Sequence, residues 1–201
     1  MTNLEIFIYA LLWLSFGLVH SLLARNSSKR VLQPLFGRTY RISYNLFSAL
    51  HIGLVIIGGE IVLGGNSVGF DLGRDLAVAA KICQLAGIVV IVASLTQYDL
   101  GRFSGITQLF QAGNETADEE HLHVSGMHRY VRHPLYLVVY LYLLGGSVSE
   151  FGLQTALWGS LYLLVGTWFE ERSLITQFGQ AYVEYKQKVP AIIPFKGRAT
   201  G

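Results

Sequence analysis

Gly126-Met-His-Arg-Tyr-Val-Arg132-His133-Pro134-Leu-Tyr136 opens the stretch on which the reading of this chain turns, and Trp168-Phe169-Glu170-Glu171-Arg172 closes it. Between them runs an apolar block, Leu135 to Phe169, too long for one membrane span of about 20 residues. Gly145-Gly146-Ser147 and Glu150-Phe-Gly152 interrupt it with turn formers. The block therefore reads as two helices of a hairpin. A hairpin returns its end to the side on which it began, so a basic, imidazole-bearing cluster and a carboxylate pair reach the same membrane face.

Composition sets the frame for that hairpin. The chain has 201 residues, is 52% hydrophobic and only 14% charged, against roughly 25% charged residues in soluble domains. Its mean hydropathy is positive. These values predict one compact, all-α integral membrane unit. A net charge of +2 with dispersed Lys and Arg is too small to suggest nucleic acid, and no nucleic-acid partner is expected. The single cysteine, Cys83, excludes an intrachain disulfide framework and a cysteine metal cluster, and its apolar surroundings make it a packing residue. The N-terminus lacks a basic n-region and a small-residue cleavage site, so its apolar stretch is expected to stay as a membrane segment.

Working outward, the predicted transmembrane helices are residues 4–24, 42–64, 77–96, 131–147 and 153–169 of a single domain covering 1–201. Arg25, Lys29, Arg30, Arg38 and Arg41 lie in the first loop without an acid. Arg102, Arg129 and Arg132 lie in the third, and Arg172, Lys186, Lys188, Lys196 and Arg198 in the tail. The other side has Arg74, with Lys81 near the start of the third helix. The positive-inside rule places the N-terminus outside, and residues 97–130 and the tail, 170–201, in the cytoplasm. A bacterial inner membrane is the expected location. The polar third loop carries the acidic patch Asn114 to Glu120; His121, His123 and His128 in it are read as solvated, with no metal. In the tail, Leu174, Phe178, Ala181, Tyr182 and Tyr185 recur at helical spacing, predicting an amphipathic helix ended by Pro190 and Pro194.

Pro134 suits the first turn of a helix, where its missing N–H costs nothing. Arg132 and His133 then sit just before that turn, where free N–H groups and the helix dipole favour an anion. Tyr136 points back toward the same end. Two readings stay open from these residues: a polar pocket at the membrane surface, or an interfacial flank with a snorkelling Arg and an anchoring Tyr. Glu170-Glu171 bears on the choice, because juxtamembrane acids are costly and usually paired. Adjacent helical residues diverge by roughly 100 degrees, so one Glu is expected to face the pocket and the other a basic neighbour or water. His20 and His51 fall inside the first two helices and Glu60 near the outer end of the second. They are either functional or satisfied by a neighbouring Ser, Tyr or Asn.

Arg132-His133-Pro134-x-Tyr136, an apolar stretch and Glu170-Glu171 together resemble the signature of the isoprenylcysteine carboxyl methyltransferase superfamily. The lead-in from Gly126 is similar, although His128 stands where an aromatic residue is more usual. Phe178-Gly179, Tyr182, Tyr185 and Val189-Pro190-Ala-Ile-Ile-Pro194 resemble its tail. In the first half, His20-Ser21 and Tyr40-Arg41-Ile-Ser-Tyr44-Asn45-Leu-Phe-Ser48 resemble the methanethiol S-methyltransferase branch and the denitrification-associated membrane proteins near it. Tyr98-Asp99-Leu-Gly-Arg102-Phe103 does so as well.

The resemblance implies S-adenosyl-L-methionine as cofactor, bound without a Rossmann unit, and a small lipophilic acceptor, a thiol in such a branch, entering from the bilayer. It implies cofactor-binding roles for Gly126, Arg132, His133, Pro134, Tyr136, Glu170, Glu171 and Tyr185. Arg132 is the catalytic candidate, as holder of an anionic group. In-line methyl transfer asks mainly for positioning, and a thiol of pKa about 8.5 is already partly ionised, so no general base is assigned. Carboxyl methylation of an isoprenylcysteine is the nearest alternative enzyme. A haem-binding membrane protein or isomerase on the same scaffold, ligated through His20 and His51, is the alternative from another class.

Overall fold

A computed structural model describes residues 1–95, 101, 104–110, 122 and 124–194, and among these the fold is helical throughout. The acidic patch Asn114 to Glu120, Tyr98, Asp99, Arg102, His121, His123, Lys196 and Arg198 lie outside the described residues.

Helix α1 (Asn3–Ala24) begins at a capping box in which Thr2 Oγ1 accepts from the Glu5 N–H and the Glu5 carboxylate accepts from the Thr2 N–H. Its buried face is Tyr9, Trp13 and Phe16, each one turn from the next. That face packs on α3 (Tyr40–Leu63) at Val55 and Leu63, and on Phe151 and Tyr162 of α7 (Glu150–Phe178). The Tyr9 hydroxyl lies 2.9 Å from Thr155 Oγ1, which satisfies a polar group inside an apolar layer. Helix α4 (Gly73–Leu95) lies along α6 (Pro134–Gly146), the most extensive helix pair among the described residues. Gly87 and Gly145 permit that approach: a Cβ on Gly145 would fall 2.5 Å from the Gln84 backbone nitrogen. Cys83 sits in the same interface, its thiol donating to the Leu141 carbonyl at 3.4 Å.

The outward faces carry apolar side chains instead of charges. Leu4, Phe7, Leu11, Leu14, Leu18 and Leu22 of α1 are all exposed, and α3 and α4 continue the pattern. A water-soluble monomer rarely exposes contiguous apolar surface on this scale. Two helical stretches are long and apolar enough to cross a membrane, Asn3–Ala24 and Ser27–Asn66, and Pro134–Gly146 is apolar but shorter. These features suggest a membrane protein.

Three elements differ from the sequence expectation. The first loop is largely helix, α2 (Asn26–Phe36), with Lys29 and Arg30 on one face and exposed Val31 and Leu35 on the other. Its amphipathic period was hidden by the run of charge. Helix α6 starts at Pro134 instead of residue 131, because Arg132 and His133 give their backbone N–H groups to the tail. Helix α7 does not end with the apolar stretch at Phe169. It continues to Phe178, and Gly179, at φ +56, breaks it before α8 (Gln180–Lys188). Leu174 and Phe178 thus belong to α7, and they pack against Tyr182, Tyr185 and Val189 of the folded-back tail. A short α5 (Ile106–Phe110) is tied to α3, since the Asn45 side chain donates to the Ser104 carbonyl at 3.0 Å.

Candidate active site

The hairpin of α6 and α7 brings the two ends of the organising stretch together, and the structure then divides the carboxylate pair. Glu171 is buried. Its Oε1 accepts from Nε of Arg132 at 2.8 Å and from Nη2 of the same guanidinium, and lies 3.4 Å from His133 Nε2. Its Oε2 accepts from Lys186 Nζ at 2.5 Å. Burial alone would raise the Glu171 carboxyl, but the hydrogen bonds from His133, Lys186 and Arg132 and the Arg132 charge outweigh it and hold the pKa at about 2. Glu170, one position earlier, turns roughly 100 degrees away. It accepts from the Tyr136 hydroxyl at 2.6 Å, approaches His133 Nδ1 at 3.5 Å, and its side chain remains 44% exposed. His133 and Tyr136 stack almost parallel, centroids 5.3 Å apart. One carboxylate is thus sealed in a structural ion pair, and the other stands at a half-open polar face beside two stacked rings.

The tail completes the arrangement. Arg132 Nη1 donates to the carbonyls of Val189 and, at 3.1 Å, Lys186. The backbone N–H groups of Arg132 and His133 donate to the carbonyls of Pro190 and Ala191, each at 2.9 Å. The donors expected to await an anion at this helix start are therefore occupied by the chain itself. Gly126, at φ +57, opens the 3-10 turn Gly126–Arg129, and the Tyr185 hydroxyl closes on the His128 carbonyl at 2.6 Å. Tyr182 is wholly buried beside the ion pair; burial first, and then the Glu171 charge, raise its phenol.

Sequence reasoning missed Lys186, counted only among the basic residues of the tail. Its signal was present: Lys186 is one turn from Tyr182 on the same helix face, so whatever buries Tyr182 carries the lysine with it.

His20 on α1 and His51 on α3 are engaged with neighbours. His20 lies between Tyr44, whose hydroxyl is 2.9 Å from Nε2, and Ser48, whose Oγ is 3.1 Å from Nδ1. Nε2 of His51 is 3.2 Å from Ser15 Oγ. Among the described residues, no three of His, Cys, Asp or Glu gather as a metal site.

Above the polar face, toward the far end of the bundle, is a cavity of about 560 Å³ walled chiefly by apolar side chains. Trp13, Phe16, Ile52, Val139 and Leu163 line it, and Tyr162 stands in its wall.

The chain is similar to methanethiol S-methyltransferase of Crocosphaera subtropica, 28% identical over 187 residues, covering 91% of this chain and 72% of the relative. It is similar to methanethiol S-methyltransferase 1 of Bradyrhizobium diazoefficiens, 29% identical over 95% of this chain and 67% of the relative. A more local similarity joins it to human protein-S-isoprenylcysteine O-methyltransferase, 36% identical over 89 residues, 41% of this chain and 30% of the relative. No family model and no solved structure matches. These relatives support the isoprenylcysteine carboxyl methyltransferase-like superfamily and an enzyme with methyltransferase activity.

Proposed function

We propose that this protein is a membrane-embedded methyltransferase of that superfamily, which carries a methyl group from S-adenosylmethionine to a small lipophilic thiol. The observation that carries the reading is the half-exposed Glu170 carboxylate beside the stacked His133 and Tyr136. A carboxylate acceptor next to flat rings suits a ligand bearing an ammonium, ribose hydroxyls and an adenine. When bound, that ligand supplies a methyl group activated on a sulfonium.

The chain's own residues bind, orient and exclude water. Glu170 accepts from the ligand's amino or ribose groups, and His133 and Tyr136 flank its adenosyl part. Glu171 holds Arg132 and the tail in place, with Gly126, Pro134 and Tyr185 shaping the entry. All three guanidinium nitrogens of Arg132 face Glu171 or tail carbonyls, so holding an anion there means yielding one of those bonds. The apolar cavity receives the acceptor, and Tyr162 in its wall stands about two turns before Glu170 on α7. The proposed topology has five spans, α1, α3, α4, α6 and α7, with the N-terminus outside and the site at the cytoplasmic face of a bacterial inner membrane.

The test is calorimetric titration of S-adenosylhomocysteine into detergent-purified protein, wild type against Glu170→Gln. Saturable binding that weakens at least about tenfold in the variant, a loss of about 1.4 kcal/mol or more, is expected. Well-folded wild type that binds nothing would refute the cofactor reading, and unchanged affinity in Glu170→Gln would remove that residue from it. Product analysis with thiol and carboxylate acceptors separates S-methylation from the carboxyl methylation named in the isoprenylcysteine relatives.

A further inference from the structure

Three hydrogen-bonded side chains lie against the wall of the cavity at Phe16 and Tyr162, without a part in cofactor binding. His20 on α1 accepts or donates at both ring nitrogens, to Tyr44 and Ser48 on α3. Its ring stacks on Phe16 with centroids 5.3 Å apart and meets Tyr162 edge-on at 6.1 Å. Phe16 and Tyr162 are both walls of the cavity. Helix α1 runs alongside α7 in the same direction, Tyr9 against Thr155 and Phe16 against Tyr162, so His20 lies on the Glu170 side of the cavity wall. Ionisable groups inside a membrane bundle are expensive and mark pathways or proton relays.

We infer that Tyr44, backed by His20 and Ser48, takes the proton from a thiol acceptor as it is methylated. This rests on the thiol S-methylation reading above. A thiol of pKa about 8.5 is mostly protonated at neutral pH, and an apolar chamber disfavours its anion further. The relay needs the tautomer in which His20 Nδ1–H donates to Ser48 Oγ and Nε2 accepts from the Tyr44 hydroxyl. The thiol S–H bond breaks, and its proton passes to the Tyr44 oxygen as the Tyr44 proton passes to Nε2. The freed sulfur lone pair forms the new bond to the methyl carbon. The electron pair of the bond that breaks stays with the donor's sulfur, which leaves as a neutral thioether. The positive charge ends on the His20 imidazolium, which returns its proton to water at the cytoplasmic end. Tyr44 touches the acceptor, and His20 is a positioning and proton-storing residue behind it.

The titratable groups facing His20 are Tyr44 and His51 on α3 and Tyr162 on α7, with Tyr136 and Glu170 beyond. The experiment compares wild type, His20→Gln and Tyr44→Phe on two acceptors from about pH 6 to 10. One acceptor is an alkyl thiol, protonated at neutral pH, and the other an aromatic thiol, largely ionised there. Both variants should lose about 10²-fold or more in rate on the alkyl thiol at neutral pH. They should regain it as pH rises toward the thiol's own pKa, and lose at least about tenfold less on the aromatic thiol. S-adenosylhomocysteine binding by calorimetry should be unchanged in both. Equal losses on the two acceptors, or no loss on the alkyl thiol, would overturn the relay. So would wild type that binds S-adenosylhomocysteine yet methylates neither thiol. Wild type that fails to bind S-adenosylhomocysteine would instead overturn the functional reading beneath it.

Discussion

Glu171→Gln is the substitution whose consequences the geometry specifies most fully. The carboxylate faces the buried Arg132, with side chains 9% and 7% exposed, and also binds Lys186 Nζ. The variant keeps the shape but removes the charge, leaving a guanidinium sealed against a neutral amide. Removing one partner of a buried pair costs about 3–5 kcal/mol. Proton linkage makes part of that cost depend on pH. The hydrogen bonds from His133, Lys186 and Arg132 and the Arg132 charge lower the carboxyl from 4.5 to about 2 in the folded protein. The sign follows from the depressed folded value: this stabilisation is complete above about pH 4.5 and disappears as pH falls toward 2. Thermal unfolding in detergent, followed by circular dichroism at a series of pH values, reads both. Wild type should lose stability between pH 4.5 and 2, and Glu171→Gln should start lower and lack that component. A variant within about 1 kcal/mol of wild type at neutral pH, or acid curves that run parallel, would refute the assignment of Glu171 as the ionised anchor of the tail.

Lys186→Met removes a half-exposed partner while Arg132 still neutralises Glu171, so a loss of about 1 kcal/mol or less is expected by the same unfolding measurement. Arg132→Lys cannot reach Glu171 and the two tail carbonyls at once, and it should cost about 2–3 kcal/mol. Limited proteolysis should then cleave the tail near Gly179 faster than in wild type. Gly145→Ala drives a Cβ to within 2.5 Å of the Gln84 backbone and should destabilise by about 1–3 kcal/mol. Gly166→Ala, whose Cβ meets nothing within 4 Å, should be neutral or slightly stabilising in the same melts.

Much of the site was legible before the fold. The split of Leu135 to Phe169 after Gly145-Gly146 corresponds to the break between α6 and α7, because turn formers act locally, whereas Glu150-Phe-Gly152, expected as a second interruption, forms the first turn of α7 behind the Ser149 cap. Pro134 stands at the first position of α6, as its missing N–H requires. The division of labour between Glu170 and Glu171 was expected from helix geometry, but not which residue would take which part. The occupied N–H groups of Arg132 and His133 were not legible at all. Their acceptors, Pro190 and Ala191, come from a tail that must first turn at Gly179 and fold back.

The amino-acid sequence alone determined an apolar helical chain, its hairpin, and which chemical groups gather at one end of that hairpin. Those follow from periodicity, turn residues and the cost of charge in lipid, each a local property. Only the tertiary structure decided that Glu171 is sealed and Glu170 open, that Lys186 joins the pair, and that His20 lies between Tyr44 and Ser48. Those outcomes depend on where distant helices pack, and a buried charge or imidazole takes its role from the partners that packing brings within hydrogen-bond reach.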